Sequence, residues 1–286
     1  MLNSMIYNYI KSLELQGLAV NDGEPAIFEQ QAPEDTDSGW EGMQYGRVVY
    51  DLRMQDDPAR KVSGSLRIMA AYTDAEELKL AEHLLQEAFD QTFFSFDLTI
   101  ATTWQKTAPS VTSDMDVFGS ILYFDVEAFP VKRYVPLDPV RSLAGYIKDI
   151  FPDVWMIGQE EQARIWKPGQ GIPGTAVYVL MDSCSAGSFP STYACTWHMA
   201  VLRVLVITAS YDEANQILGI LQARLLEKER FPMEDGSPFF VERVSTAQNN
   251  DVLKRGQMQL QGQFGILRET EPTTSIQGIE MTGGWK

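Results

Sequence analysis

Hydrophobic positions along the chain change period several times, and the changes mark its elements. Leu2, Met5, Ile6, Tyr9, Ile10 and Leu13 recur at spacings of three and four. That spacing predicts a helix over residues 1–16 with one apolar stripe, stopped by Gly17. Residues 26–29 and 48–54 read as short strands, with a long polar loop of turn-forming residues between them. Another strand is expected over 65–72. Asp74 then opens a helix with acidic residues in its first turn and Leu78, Ala81, Leu85 and Phe89 along one face. Strands at 97–104 and 119–129 complete the first half.

The second half follows the same order. A helix over 139–150 starts at Pro139, a residue suited to the first helical position. Strands are expected at 154–158, 176–182 and 196–209. Asp212 opens a helix with Ile217, Leu221 and Leu225 on one stripe. Strands at 239–244 and 256–267 follow, and Met258, Leu260, Phe264 and Ile266 alternate with polar or small residues in the last one, so one face is buried. The expected class is therefore α+β: two similar small domains, each a mostly antiparallel sheet packed by helices, in the order helix, three strands, helix, two strands. Asp74 aligns with Asp212 and Gly119 with Gly256, an offset of about 137 residues, of the order of one domain. The expected units are residues 1–137 and 138–269, divided at the proline-bearing VPLDP segment, with a polar tail at 270–286.

Charge narrows the function classes. The 286-residue chain has 23 Lys plus Arg against 39 Asp plus Glu, a net charge of −16. A wide nucleic-acid interface needs a cationic face, so it is disfavoured, and so is attachment to an anionic membrane. The charge is uneven: residues 1–137 carry a net −12 and residues 138–286 a net −4. The start, MLNSMIYNYIKSLELQ, lacks the basic and apolar regions of a signal peptide. The longest strongly apolar run, Met199 to Ala209, contains Arg203 and is too short to span a bilayer. A soluble protein, intracellular or particle-bound, is expected. Two cysteines, Cys184 and Cys195, cannot build a disulfide framework.

The catalytic inventory is thin. His83 lies mid-helix beside the apolar stripe and reads as a surface or boundary residue. His198 stands three residues after Cys195, so a zinc or thiol–imidazole site is the sharpest enzymatic candidate. Neither cysteine precedes a helix that would lower its pKa. Neither a G-x-S-x-G elbow nor a G-x-x-x-x-G-K-[ST] phosphate loop is present. The prolines of KPGQGIPG (167–174) remove donors that an anion cradle needs, so it reads as a plain loop. Glu76, Glu77 and Glu82 on their helix, and PEDTD (33–37), read as solvated charge. Asp51 and Arg53 come nearest to a nuclease strand, without the E-x-K that would complete it. No catalytic, cofactor-binding or metal-binding residue is assigned.

The pattern resembles the tail terminator, or tail-completion, proteins of tailed bacteriophages. The resemblance rests on the opening helix MLNSMIYNYIKSL and on PAIFEQQAPEDTDSGWEGMQYGRVVYDLR, a strand, polar loop and strand. It continues through SLRIMAAYTDAEELKLAEHLLQEAF, strand into helix, and the alternating strand GQMQLQGQFGI. It implies a structural virion protein without catalysis or cofactor, assembled in the host cytoplasm. Members form a ring, typically a hexamer, on the finished tail tube. The ring ends tube polymerisation and offers a joint to head-completion and neck proteins, while DNA slides through an acidic channel. A usual member is about half this chain, the size of a single domain. Two family domains per chain imply a pseudo-hexameric ring of three chains or a double-layered ring of six. The polar loops at 30–47 and 105–118, and a tail carrying Ile279, Met281 and Trp285, would then reach neighbouring subunits. Other readings are another head–tail connector or minor tail protein, a Cys195/His198-dependent hydrolase or metal enzyme, and an acidic mimic of nucleic acid.

Overall fold

A computed structural model describes residues 2–34, 36–37, 45–55, 64–110, 116–131, 137–159, 163–189, 192 and 194–268. Of the four α-helices among the described residues, three start at a side chain that caps them. The first, α1 (Leu2–Ser12), buries Ile6 and Ile10 and ends before the expected Gly17. The Ser12 hydroxyl donates to the Tyr9 carbonyl at 2.7 Å, and Glu14 takes a left-handed φ of 50°. The next, α2 (Ala75–Phe89), begins at Asp74, whose carboxylate accepts from the Glu76 and Glu77 amides at 2.7 and 3.4 Å. Leu78, Ala81, Leu85 and Phe89 are all buried, as their spacing predicts. Asp138 caps α3 (Pro139–Ile150) in the same way. The fourth helix, α4 (Tyr211–Lys228), departs from expectation: Ser210 is its cap, accepting from the Glu213 amide. Asp212 lies inside the first turn, where its charge meets the helix dipole.

The strands of the first half are β1 (Val20–Asn21), β2 (Glu24–Pro25), β3 (Ile27–Glu29), β4 (Arg47–Met54), β5 (Gly64–Tyr72), β6 (Thr92–Ser95), β7 (Thr99–Ser110) and β8 (Phe118–Phe129). Those of the second are β9 (Trp155–Met156), β10 (Arg164–Trp166), β11 (Ala176–Ala186), β12 (Cys195–Ile207), β13 (Arg230–Pro232), β14 (Pro238–Gln248) and β15 (Gly256–Leu267). A small β1–β2 pair stands apart. One sheet runs β10-β6-β7-β8-β5-β4-β3 and the other β13-β14-β15-β12-β11-β9. With β10 set aside, the two orders match strand for strand. Each is antiparallel except at one end, where β3 meets β4 and β9 meets β11 in parallel. Each also has a bulge in its second strand, between Trp104 and Lys106 in β7 and between Val241 and Arg243 in β14.

Several expectations need correction. Residues 105–110, expected as loop, extend β7, and Pro109 is tolerated there because, among the described residues, β6 pairs only with Thr99–Thr102 and leaves the far edge of β7 open. The strand expected over 154–158 shortens to Trp155–Met156. Five short strands, β1, β2, β6, β10 and β13, were not expected. The loop expected at 30–47 falls partly, and the tail at 270–286 wholly, outside the described residues.

Helices cover one face of each sheet. Ile6 and Ile10 of α1 join Leu78, Leu85 and Phe89 of α2 over Tyr50, Leu66, Ile68 and Phe124. Leu143 and Ile147 of α3 join Leu218 and Leu221 of α4 over Leu202, Val204, Met258 and Leu260. A third cluster joins the halves, with Phe93 and Phe129 from the first packed against Trp155, Trp166 and Tyr178 from the second. Here β10 leaves its own half and pairs antiparallel with β6. The Tyr178 hydroxyl donates to the Pro130 carbonyl at 2.8 Å, and Lys254 pairs with Glu127 at 2.9 Å.

Candidate interaction surface

The strand β15 sorts its side chains by parity. Met258, Leu260 and Phe264 enter the helical core. Gln257, Gln259, Gln261 and Gln263 therefore point to the opposite face. Three of them are at least partly exposed, while Gln263 is only 1% exposed. Its amide is used on both sides. The carbonyl oxygen accepts from the Ser188 and Phe189 amides at 2.9 and 3.3 Å. The amide nitrogen donates to the Ser188 hydroxyl at 2.6 Å and to the Glu242 carboxylate. Gln263 thus ties the β11–β12 hairpin across β15 to β14.

The tie holds up an aromatic triad. Phe189 meets Trp197 edge to face, with ring centroids 5.0 Å apart, and lies 6.5 Å from Phe240, while Trp197 and Phe240 are 6.1 Å apart. Phe189 remains 44% exposed. Two glycines make room. A Cβ on Gly187 would lie 2.9 Å from the Trp197 backbone, and one on Gly265 would lie 2.6 Å from Cys195 Sγ. A partly exposed cluster of Trp and Phe on a hydrogen-bonded support has the composition of an interface anchor.

The residues weighed for catalysis lie apart. Cys195 and His198 sit three positions apart on β12, and side chains at odd separation on a strand face opposite ways. Cys195 points to the face away from the helices, beside Trp197, with its thiol 3.7 Å from the Thr196 carbonyl. His198 stacks on Phe264 at 5.5 Å, on the helical face. Cys184 is exposed on the hairpin, and partial desolvation pushes its thiol pKa up, away from the thiolate. Arg53 and Asp51 pair with each other at 2.7 Å. His83 lies 3.9 Å from Glu87 on the exposed face of α2, and Glu76 pairs with Lys79. Among the described residues, no group of three or more His, Cys, Asp or Glu is placed to hold a metal ion, and no helix is long and apolar enough to cross a membrane. An open furrow along α3 is lined by Tyr146, Met156, Gln159 and Met233, and the Arg141–Glu234 ion pair spans 2.9 Å beside it.

Sequence reasoning did not find Gln263, Phe189, Trp197 or Phe240. Gln263 had a signal, since four glutamines alternate with apolar residues in one strand. No known protein-family model matches the chain, and no curated protein sequence matches it.

Proposed function

We propose that this chain is a structural virion protein of the tail terminator kind, built from two related α+β units in tandem. The units are residues 1–137 and 138–269, followed by a tail at 270–286. Copies form a ring on the end of the tail tube, stop its polymerisation and present the joint to head-completion and neck proteins. DNA passes through the ring without being bound, and the net charge of −16 favours an acidic lining. Assembly takes place in the host cytoplasm, and no catalytic step is assigned.

The observation that carries this reading is the repetition of one sheet plan, with the same strand order, the same single parallel pair and a bulge in the same strand. Tandem copies of one unit locked by a shared core suit a protein that acts by shape. The exposed aromatic triad suits one that works by docking. The test is to add the purified chain to polymerising tail tube protein and measure tube length in negative stain. Short tubes with extra density at one end are expected. Tubes that lengthen without limit in excess chain, with bare ends, would refute the reading.

A further inference from the structure

We infer that the aromatic triad on the second sheet is the dock for this chain's own tail, with Ile276, Ile279 and Met281 packed over Phe189, Trp197 and Phe240 of the same copy. The inference stands independently of the assembly role proposed above.

The apolar surface is larger than the triad. Leu267, the last residue of β15, lies opposite Cys195 and so shares its face, away from the helices. Leu267 is 73% exposed and Phe189 44%. Trp197 and Phe240 are half-buried. Between Leu267 and Gln263 stands Gly265, opposite Trp197, so no side chain at that position of β15 covers the indole. A Cβ there would lie 3.5 Å from the ring. The three rings and Leu267 therefore share one partly exposed surface at the point where β15 stops.

The chain leaves the sheet at that same point. The Arg268 amide donates to the Ala194 carbonyl at 2.9 Å, which fixes the exit beside β12. Residues 269–286 lie outside the described residues, and the sequence from Arg268 onward divides in two. Residues 268–275 (RETEPTTS) carry no large apolar side chain, whereas Ile276, Ile279, Met281 and Trp285 follow. The first stretch suits a tether and the second an anchor. Reach allows the return. About nine residues separate Leu267 from Ile276 and span up to about 30 Å. Gln263, opposite Phe240, is only about 13 Å back along β15. A tether this short holds its anchor near the triad at an effective concentration on the order of 1 mM, which favours the chain's own tail over that of another copy. The chemistry matches, since Met281 offers a thioether to aromatic rings and the two isoleucines offer aliphatic surface. A partner that uses the triad must first displace the tail.

Hydrogen exchange on the full-length chain, read by mass spectrometry at several protein concentrations, tests the contact from both sides. In the wild type, the amides of 276–281 and of 187–189 are expected to be protected, and equally so at every concentration. Ile279→Glu combined with Met281→Glu should speed exchange at 187–189 about tenfold, and Phe240→Glu should do the same at 276–281. Far-UV circular dichroism checks folding, and Phe189→Glu takes the place of Phe240→Glu if that variant does not fold. Tail amides that exchange without protection in the wild type, or a variant that leaves the opposite segment unchanged, overturn the inference. So does protection that appears only as concentration rises, with a matching gain in mass by light scattering, because the occupant is then another copy. A chain whose tail and triad protect each other but which fails to cap tubes keeps this contact and loses the assembly role.

Discussion

Replacing Phe93 with alanine tests whether the seam between the halves is a true core. The ring is fully buried, with centroids 5.4 Å from Phe129, 6.0 Å from Trp155 and 5.1 Å from Trp166. Truncating a buried Phe typically costs about 3–5 kcal/mol, from lost burial and the cavity left behind. Three aromatic neighbours that cannot close the gap place this site near the middle, at about 4 kcal/mol. The cost falls on contacts between the halves, because the neighbouring Phe94 serves the helical core instead. Urea unfolding followed by tryptophan fluorescence is the assay. The wild type should unfold in one transition, since each half supports the other. Phe93→Ala should lower the first midpoint by about 1 M or more and split the transition in two. A loss below about 1 kcal/mol with one unchanged transition would refute the reasoning, because the halves would then be stable without the seam.

Gln263→Leu leaves the Ser188 and Phe189 amides without their acceptor, at a cost of about 2 kcal/mol, and should speed hydrogen exchange at those amides; unchanged exchange would contradict the tie. Asp138→Ala removes a buried cap that two amides use and should cost about 1–2 kcal/mol in chemical denaturation, whereas Asp138→Asn should restore most of it. Burial pushes Tyr50 up to about 12 and raises Tyr72 as well, from an ordinary 10.0. The unfolded phenols therefore lose protons first, so stability should hold below pH 10.0 and fall as pH climbs towards about 12. Tyr50→Phe should flatten that fall in denaturation midpoints taken across this range, and an unaltered slope would show that Tyr50 does not contribute.

The parts of the fold legible in sequence are those where one face is buried and the other is wet. Leu78, Ala81, Leu85 and Phe89 show it with helical spacing, and Met258, Leu260 and Phe264 with strand spacing. The strand β6 hid for the opposite reason: Thr92, Phe93, Phe94 and Ser95 are all buried, Phe94 in the helical core and Phe93 in the seam, so no alternation marks it. The strands β10 and β13 are too short to carry a period. The Gln263-supported aromatic triad was invisible because its parts lie far apart in the chain. Phe189 and Gln263 meet only when β11 and β12 form a hairpin beside β15. The Cys195 and His198 spacing looked chemical until the strand assignment placed the two on opposite faces.

Class averages of the assembled oligomer in vitreous ice test the central claim, two matched units per chain repeated around a ring, most directly. The account predicts rings in which every chain contributes two lobes of similar shape. Particles that do not close into rings, or rings with one undivided lobe per chain, would contradict it.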